Sequence, residues 1–120
     1  MKKKTKHADD AAHHTFEPAI AKKVGVAAAV VHRNLVFWIR HNETNNQNFH
    51  EGRYWSYNSY KAFGLQFSYL TVKQIRTALD KLVDAGLIVK GNFSKDRFKR
   101  ENWYALGDTE CPNVLNVTQN

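Results

Sequence analysis

The chain has 120 residues, of which 42% are hydrophobic and 12% aromatic, and its formal net charge is +7. This length and apolar content fit one globular domain with a core and exclude a wholly disordered chain. No stretch approaches the roughly 18 uninterrupted apolar residues of a membrane span, and no apolar segment follows the basic residues 1–6 as in a secretory signal. The lone cysteine, Cys111, cannot form an internal disulfide, which favours a reducing compartment such as the cytoplasm.

The first elements in chain order are a tail and two helices. Residues 1–14 are polar and without periodicity, and we expect them to form a flexible N-terminal tail. A short helix is predicted over residues 16–25, with Pro18 in its first turn. A longer helix over residues 26–41 is apolar on several sides and is expected at the centre of the core. The candidate inner residues of the two helices are Ile20, Val24, Ala27, Ala28, Val30, Val31, Leu35, Val36, Trp38 and Ile39.

A loop, a short strand and a third helix follow. The Asn-rich residues 42–47 are predicted to form a loop, and Glu51 and Gly52 the centre of a turn. A short strand is expected near residues 53–56, and the next helix over residues 58–67. The candidate inner residues of that helix are Tyr60, Ala62, Phe63 and Phe67. The aromatic residues expected in the core, rather than stacked on bases, are Phe37, Trp38, Tyr54, Trp55, Phe63 and Trp103.

The helix that follows a turn at residues 68–70 carries the clearest pattern in the chain. Thr71 is a good N-cap residue, and Gly86 is at the position where a left-handed C-cap residue is expected. The apolar positions between them step by three and four residues, the period of an amphipathic helix. These positions are Val72, Ile75, Leu79, Leu82 and Val83, and the opposite face presents Lys73, Gln74, Arg76, Thr77 and Lys81. Two helices joined by so short a turn form a helix-turn-helix.

A β-hairpin is predicted after this helix. Residues 87–89 form a strand nucleus, residues 102–106 alternate as the returning strand, and residues 94–97 lie at the tip, or wing. Residues 108–120 are expected to form a C-terminal tail. The predicted fold is α+β and mainly α: a winged helix-turn-helix with about four helices and a C-terminal hairpin wing, in one domain over residues 15–107.

Positive charge is concentrated in the last helix and the wing. Residues 71–100 hold eight Lys or Arg and three Asp, a net +5 of the total +7. Such a concentration attracts polyanions through counterion release, although a charged face is often only a solvated one. Its position on a helix and a hairpin favours double-stranded DNA as the partner.

The residue types indicate how this DNA would be held. The second helix of a helix-turn-helix lies in the major groove, so Lys73, Gln74 and Thr77 are the candidate base readers, and Arg76 is the candidate for a phosphate. Tyr69, in the turn, is expected to donate to a phosphate near the helix N-terminus. The wing residues expected on phosphates or in an adjacent minor groove are Lys95, Arg97, Lys99 and Arg100.

Several segments carry a family resemblance. They are residues 31–39 (VHRNLVFWI), 52–59 (GRYWSYNS) and 70–79 (LTVKQIRTAL), and then 91–93 (GNF) continuing to 102–106 (NWYAL). In this order and spacing they resemble the winged-helix N-terminal domain of phage and mobile-element replication proteins. These are replisome organisers related in architecture to the DnaD primosome proteins.

The resemblance implies a DNA-binding protein that acts in the initiation or organisation of phage or mobile-element replication. Replication proteins or a helicase loader are then further partners. Two alternatives stay open. One is a transcriptional regulator that uses the same contacts. The other is a protein-interaction module that docks a replication or defence protein, since fold does not fix function.

The sequence shows no constellation for catalysis, and we expect no enzyme activity. Carboxylates are few and separated by lysines, Cys111 has no evident base partner, and no phosphate-binding glycine motif is present. The six histidines are scattered and form no zinc-site spacing, so we expect no metal and no cofactor. A homodimer, paired through the first two helices on a palindromic DNA site, is an open possibility.

Overall fold

A computed structural model of the chain describes residues 13–93 and 102–108. Their helices are α1 (Pro18–Val24), α2 (Val26–Thr44), α3 (Tyr60–Gln66) and α4 (Val72–Asp84). Their strands are β1 (Phe49–His50), β2 (Arg53–Tyr54), β3 (Ser56–Asn58), β4 (Ile88–Gly91) and β5 (Asn102–Leu106). The fold is mainly α within the α+β class and has the winged helix-turn-helix arrangement that the sequence predicted.

The first two helices meet at a single glycine. Gly25 has a φ of +92°, which allows the chain to end α1 and begin α2 without an intervening loop. Helix α2 runs to Thr44, three residues further than predicted. Its last turn is held by Asn42, a buried residue whose Nδ2 donates to the carbonyl oxygen of Trp55 at 2.8 Å. This long-range bond explains why polar residues expected in a loop continue the helix.

The strands form two antiparallel units. Strands β1 and β2 pair around Glu51 and Gly52, which both have positive φ, as a two-residue type I′ hairpin turn requires. The other three strands form a sheet in the order β3-β5-β4. The predicted strand at residues 53–56 is thus divided: its first half pairs with β1, and its second half begins the strand that pairs with β5.

The two faces of the three-stranded sheet are both covered. Tyr104 points into the main core, which joins all four helices to the sheet. Its neighbours Trp103 and Ala105 point to the opposite face and pack there with Trp55, because successive strand residues alternate. The main core includes the fully buried residues Ile20, Val31, Leu35, Phe63, Phe67, Ile75, Leu79, Leu82, Ile88 and Tyr104. Each such side chain contributes about 1.5–3 kcal/mol by leaving water.

The expected core position of Phe37 is wrong. Its side chain is 57% exposed, and Trp38 is only half-buried, while Trp55, Phe63 and Trp103 are buried as predicted. The ring of Phe37 packs edge-on against Trp38, with centroids 5.2 Å apart. The buried residues of α2 occupy its other sides, so this part of the helix faces outward.

Contacts of the folded part reach residues that the sequence analysis assigned to the tails. His14 contacts Tyr69, and Asp108 forms an ion pair with Arg53 at 2.9 Å. The other tail residues, 1–12 and 109–120, lie outside the described residues.

None of the helices within the described residues combines the length and the apolar character that crossing a bilayer needs.

Candidate nucleic-acid interface

Helices α3 and α4 form a helix-turn-helix in which both N-termini are capped. Ser59 Oγ accepts from a first-turn backbone N–H of α3 at 3.1 Å, and Thr71 Oγ1 accepts from the Gln74 N–H at 3.0 Å. Between the helices, the Leu70 N–H donates to the Phe67 carbonyl at 2.9 Å. These bonds satisfy N–H groups that lack a partner inside a helix, so they define where α4 begins.

The two faces of α4 separate as its sequence pattern indicates. The buried positions are Ile75, Ala78, Leu79 and Leu82. The exposed positions include the four predicted contact residues, Lys73, Gln74, Arg76 and Thr77.

The burial predicted for one residue of the apolar stripe is wrong. Val72 is 49% exposed, because it occupies the first helical position and burial begins only in the next turn, at Ile75. The first turn of α4 is therefore open to solvent on its apolar side as well.

Gln74 has a structural role that the sequence analysis missed. Its Oε1 accepts from the backbone N–H of Thr71 at 2.8 Å, which completes a capping box. Bidentate pairing with adenine uses both ends of the amide and would have to release this bond. The signal was present in the sequence as Thr-x-x-Gln before an apolar run. The geometry therefore favours Lys73 and Thr77 over Gln74 as base readers.

Three of the predicted contact residues lie together along one groove. Lys73, Gln74 and Thr77 line it together with Lys81, and residues 24–28, at the junction of α1 and α2, line it as well. The groove encloses about 350 Å³. Lys81 was seen in the sequence as part of the polar face but not as a site residue. The structure adds it because α2 packs across α4, which the sequence does not reveal.

Arg76 lies apart from this groove and contacts α3. The guanidinium carbon is 4.9 Å from the centre of the Tyr60 ring, which is a cation–π distance. The ring limits the positions of the guanidinium while its N–H groups keep their capacity to donate. This arrangement suits a contact with a phosphate better than insertion between base edges.

Charge is unevenly distributed along the exposed face of α4. The first half carries Lys73 and Arg76, and the second half carries Asp80 and Asp84 beside Lys81, all of them exposed. The positive potential is therefore strongest near the N-terminus, where the helix dipole adds to it. An anionic partner is expected to approach this end.

Tyr69 lies in the turn just before α4, and its side chain is 58% exposed. Its Oη is 2.7 Å from Nδ1 of His14, whose ring also packs on Phe67 at 4.9 Å. Partial burial raises the pKa of Tyr69, so its hydroxyl keeps its proton at neutral pH. The contact with His14 joins residues 55 positions apart, and no local pattern could have revealed it.

The predicted wing contacts lie outside the described residues: Lys95, Arg97, Lys99 and Arg100. The structure describes the base of this hairpin. Strands β4 and β5 pair from Ile88 and Leu106 to Gly91 and Trp103. Beyond β4, the ring of Phe93 packs on Trp55 with centroids 4.7 Å apart, so Phe93 is anchored on the base of the hairpin.

Histidines and acids within residues 13–93 and 102–108 form no group of three or more that could hold a metal ion. His32 is buried in α2, and burial lowers its pKa, so it is neutral near pH 7.

Comparison with known proteins supports the fold. A solved structure described as "N-Terminal domain of DNA binding protein" is similar to this chain, with a TM-score of 0.61 and 9% sequence identity. The similarity covers 99% of this chain and 92% of that chain. No protein-family model and no curated protein matches the chain. At 9% identity this likeness shows a similar fold. The helix-turn-helix of α3 and α4 and the hairpin of β4 and β5 place the chain in the class of winged helix-turn-helix domains.

Proposed function

We propose that the chain binds double-stranded DNA and places the first half of α4 in the major groove. The observation that carries this proposal is the N-terminal half of α4. It exposes Lys73, Arg76 and Thr77, while Ile75 and Leu79 anchor the opposite side in the core. A helix held on one face and cationic on the other is what major-groove binding requires.

Two further observations support DNA as the partner. The chain has a net charge of +7, and the solved structure with a similar fold is described as part of a DNA binding protein. In the proposed complex, Lys73 and Thr77 reach base edges and Arg76 and Tyr69 bind phosphates. The wing residues of the hairpin add further phosphate contacts, which supply affinity and orientation rather than sequence choice.

The proposal is tested by fluorescence anisotropy with random duplex DNA at two salt concentrations. We expect Lys73→Glu and Arg76→Glu each to weaken binding at least about tenfold, since each replaces a contact by repulsion. Arg40→Glu makes the same charge change at an exposed site of α2 outside the interface and is the matched control. Its effect should stay below about threefold. Absence of duplex binding by the unaltered chain at low salt would contradict the proposal.

We further propose that this binding serves the initiation or organisation of phage or mobile-element replication, in the cytoplasm and without catalysis by this chain. The support is the sequence resemblance to replisome organisers related to the DnaD proteins over residues 31–39, 52–59 and 70–79. Replication proteins or a helicase loader would then join the complex, and a dimer would recognise a palindromic site.

The replication role has its own test. Removing the gene should reduce the copy number of the element, and a DNA footprint should fall within its replication origin. A footprint at a promoter, with altered transcript levels, would instead support a transcriptional regulator. Full biological activity in the Lys73→Glu variant would point to a protein-interaction module.

A further inference from the structure

A second group of cationic and hydrogen-bonding side chains lies beside the helix-turn-helix, outside α4 and the wing. Residues 13–15, which precede α1, lie against α2 and border a cleft of about 240 Å³. Its polar lining comes from both parts of the chain: His13, His14 and Thr15 from the segment, and Arg33 and Asn34 from α2. Among the described lining residues there is no carboxylate, so the cleft offers mainly donors and positive charge.

His14 connects this cleft to the turn of the helix-turn-helix. Its Nδ1 lies 2.7 Å from Tyr69 Oη, and its ring packs at 4.9 Å on Phe67, a fully buried residue. Tyr69 lies two residues before Thr71, the cap of α4. The cleft and the start of α4 are therefore neighbouring parts of one surface.

Asn34 adds an observation that points to a ligand. Its Oδ1 is buried and has no hydrogen-bond partner among the described residues. Buried polar atoms without a partner are uncommon in folded proteins. A half-turn of the amide exchanges its oxygen and its NH₂, so either a donor or an acceptor can be presented at this point. With the amide turned so that its NH₂ takes this place, Asn34 would donate to an anion that enters the cleft.

We propose that this cleft binds a phosphate group. Arg33 supplies the ion pair, and His13, His14 and Thr15 supply further hydrogen bonds, which are strongest when donor or acceptor is charged. The phosphate has two possible sources. As a backbone phosphate of DNA it extends the interface past the turn, and this version rests on the proposed function. As part of a small phosphate-bearing ligand it is independent of DNA binding.

The first experiment uses inorganic phosphate and the full chain. NMR signals of the His13 and His14 rings are followed during a phosphate titration. We expect saturable shifts that require at least about tenfold more phosphate in the Arg33→Gln variant. Arg40→Gln, a change of the same type at an exposed site two turns along α2, should leave the titration unchanged. Thermal unfolding of all three proteins confirms that they are folded.

The second experiment measures duplex DNA binding of the same variants. If the source is the DNA backbone, Arg33→Gln should weaken binding about tenfold relative to Arg40→Gln. The slope of log affinity against log salt should then fall by about one.

The two experiments together separate this inference from the proposed function. Arg33-dependent phosphate binding without DNA binding supports a small ligand and contradicts only the DNA proposal. DNA binding that depends on Lys73, with Arg33→Gln equal to Arg40→Gln in both experiments, overturns the phosphate cleft and leaves the proposed function standing.

Discussion

At the scale of single residues, several polar side chains are held by the protein itself. Asn42 donates to the Trp55 carbonyl, and Gln74 accepts from the Thr71 N–H. The second contact spans one helical turn and could be read from the sequence, whereas the first depends on how β2 and β3 lie against α2. These contacts matter for function, because a side chain that is hydrogen-bonded to the protein backbone is less available to a ligand.

The capping box makes a prediction about stability. Thr71→Ala should lower the free energy of unfolding by about 1 kcal/mol, because it removes the acceptor for the Gln74 N–H. Thr77→Ala is the matched control, since Thr77 is exposed inside α4, where alanine is the better helix former. Urea unfolding measures both. Equal losses of free energy in the two variants would show that the cap does not stabilise α4.

Burial of His32 leads us to predict a pH dependence of stability. Burial lowers its pKa below the ordinary 6.5, an effect that Glu17 opposes and Arg33 reinforces. Below pH 6.5, His32 binds a proton in the unfolded chain but not in the folded chain. The free energy of unfolding should therefore fall as the solution is acidified. For one proton the slope is at most about 1.4 kcal/mol per pH unit. Above about pH 7 this contribution is constant.

Chemical unfolding between pH 7.5 and pH 5 measures this effect. His32→Gln should flatten the pH dependence, whereas His41→Gln, at an exposed position of the same helix, should preserve it. A pH dependence that is the same in all three proteins would assign it to other groups.

At the scale of elements, the junction after β5 depends on a close backbone approach. Gly107 donates its N–H to the Leu87 carbonyl at 2.9 Å, and a Cβ placed on it would overlap the carbonyl oxygen of Gly86. Gly86 itself has a φ of +76° and ends the turn after α4. The end of the helix-turn-helix and the end of the hairpin are thus joined by two glycines that lie far apart in sequence.

This junction predicts that Gly107→Ala lowers the free energy of unfolding by about 1–3 kcal/mol, because the backbone must shift to admit the methyl group. Gly64→Ala is the matched control, since a Cβ there meets nothing within 4 Å inside α3. It should stabilise the protein by about 0.5–1 kcal/mol through helix propensity. Thermal and urea unfolding give the comparison. A neutral Gly107→Ala variant would be incompatible with the close approach.

At the scale of the whole molecule, one core holds helix α4 and the base of the wing in a common frame. Helix α4 packs on α2, and β5 lies between β3 and β4, so the base of the wing is attached to the same body. On the second face of the sheet, Trp55 and Trp103 pack together and support this base. Helix α4 and the base of the wing therefore have a defined relative position.

This frame predicts separate effects for α4 and the wing. Replacing Lys95, Arg97, Lys99 and Arg100 by Ser should weaken binding to every duplex by a similar factor. It should also lower the salt slope by about one for each phosphate contact that is lost. Lys73→Ala should instead change the preference among sequences. Anisotropy titrations with several duplexes distinguish the two. Selective loss for one sequence in the wing variant would give the wing a role in base readout.

The sequence by itself determined the elements whose information is local. The spacing of apolar residues predicted α2 and α4, the Thr71 cap located the start of α4, and the alternation in residues 102–106 predicted β5. These follow from periodicity and capping, which act within a few residues along the chain. The DNA-contact residues and the replication role stay predictions, with Lys73, Arg76 and Thr77 on the exposed face where the pattern put them.

Only the tertiary structure decided how these elements meet. It exposed Phe37, divided the strand at residues 53–56, placed Lys81 in a groove with Lys73, and brought His14 to Tyr69. Each of these outcomes depends on which surfaces pack together across long stretches of sequence. Apolar spacing shows which face of an element is buried but not against which neighbour, and for this reason the groove and the phosphate cleft had no local signature.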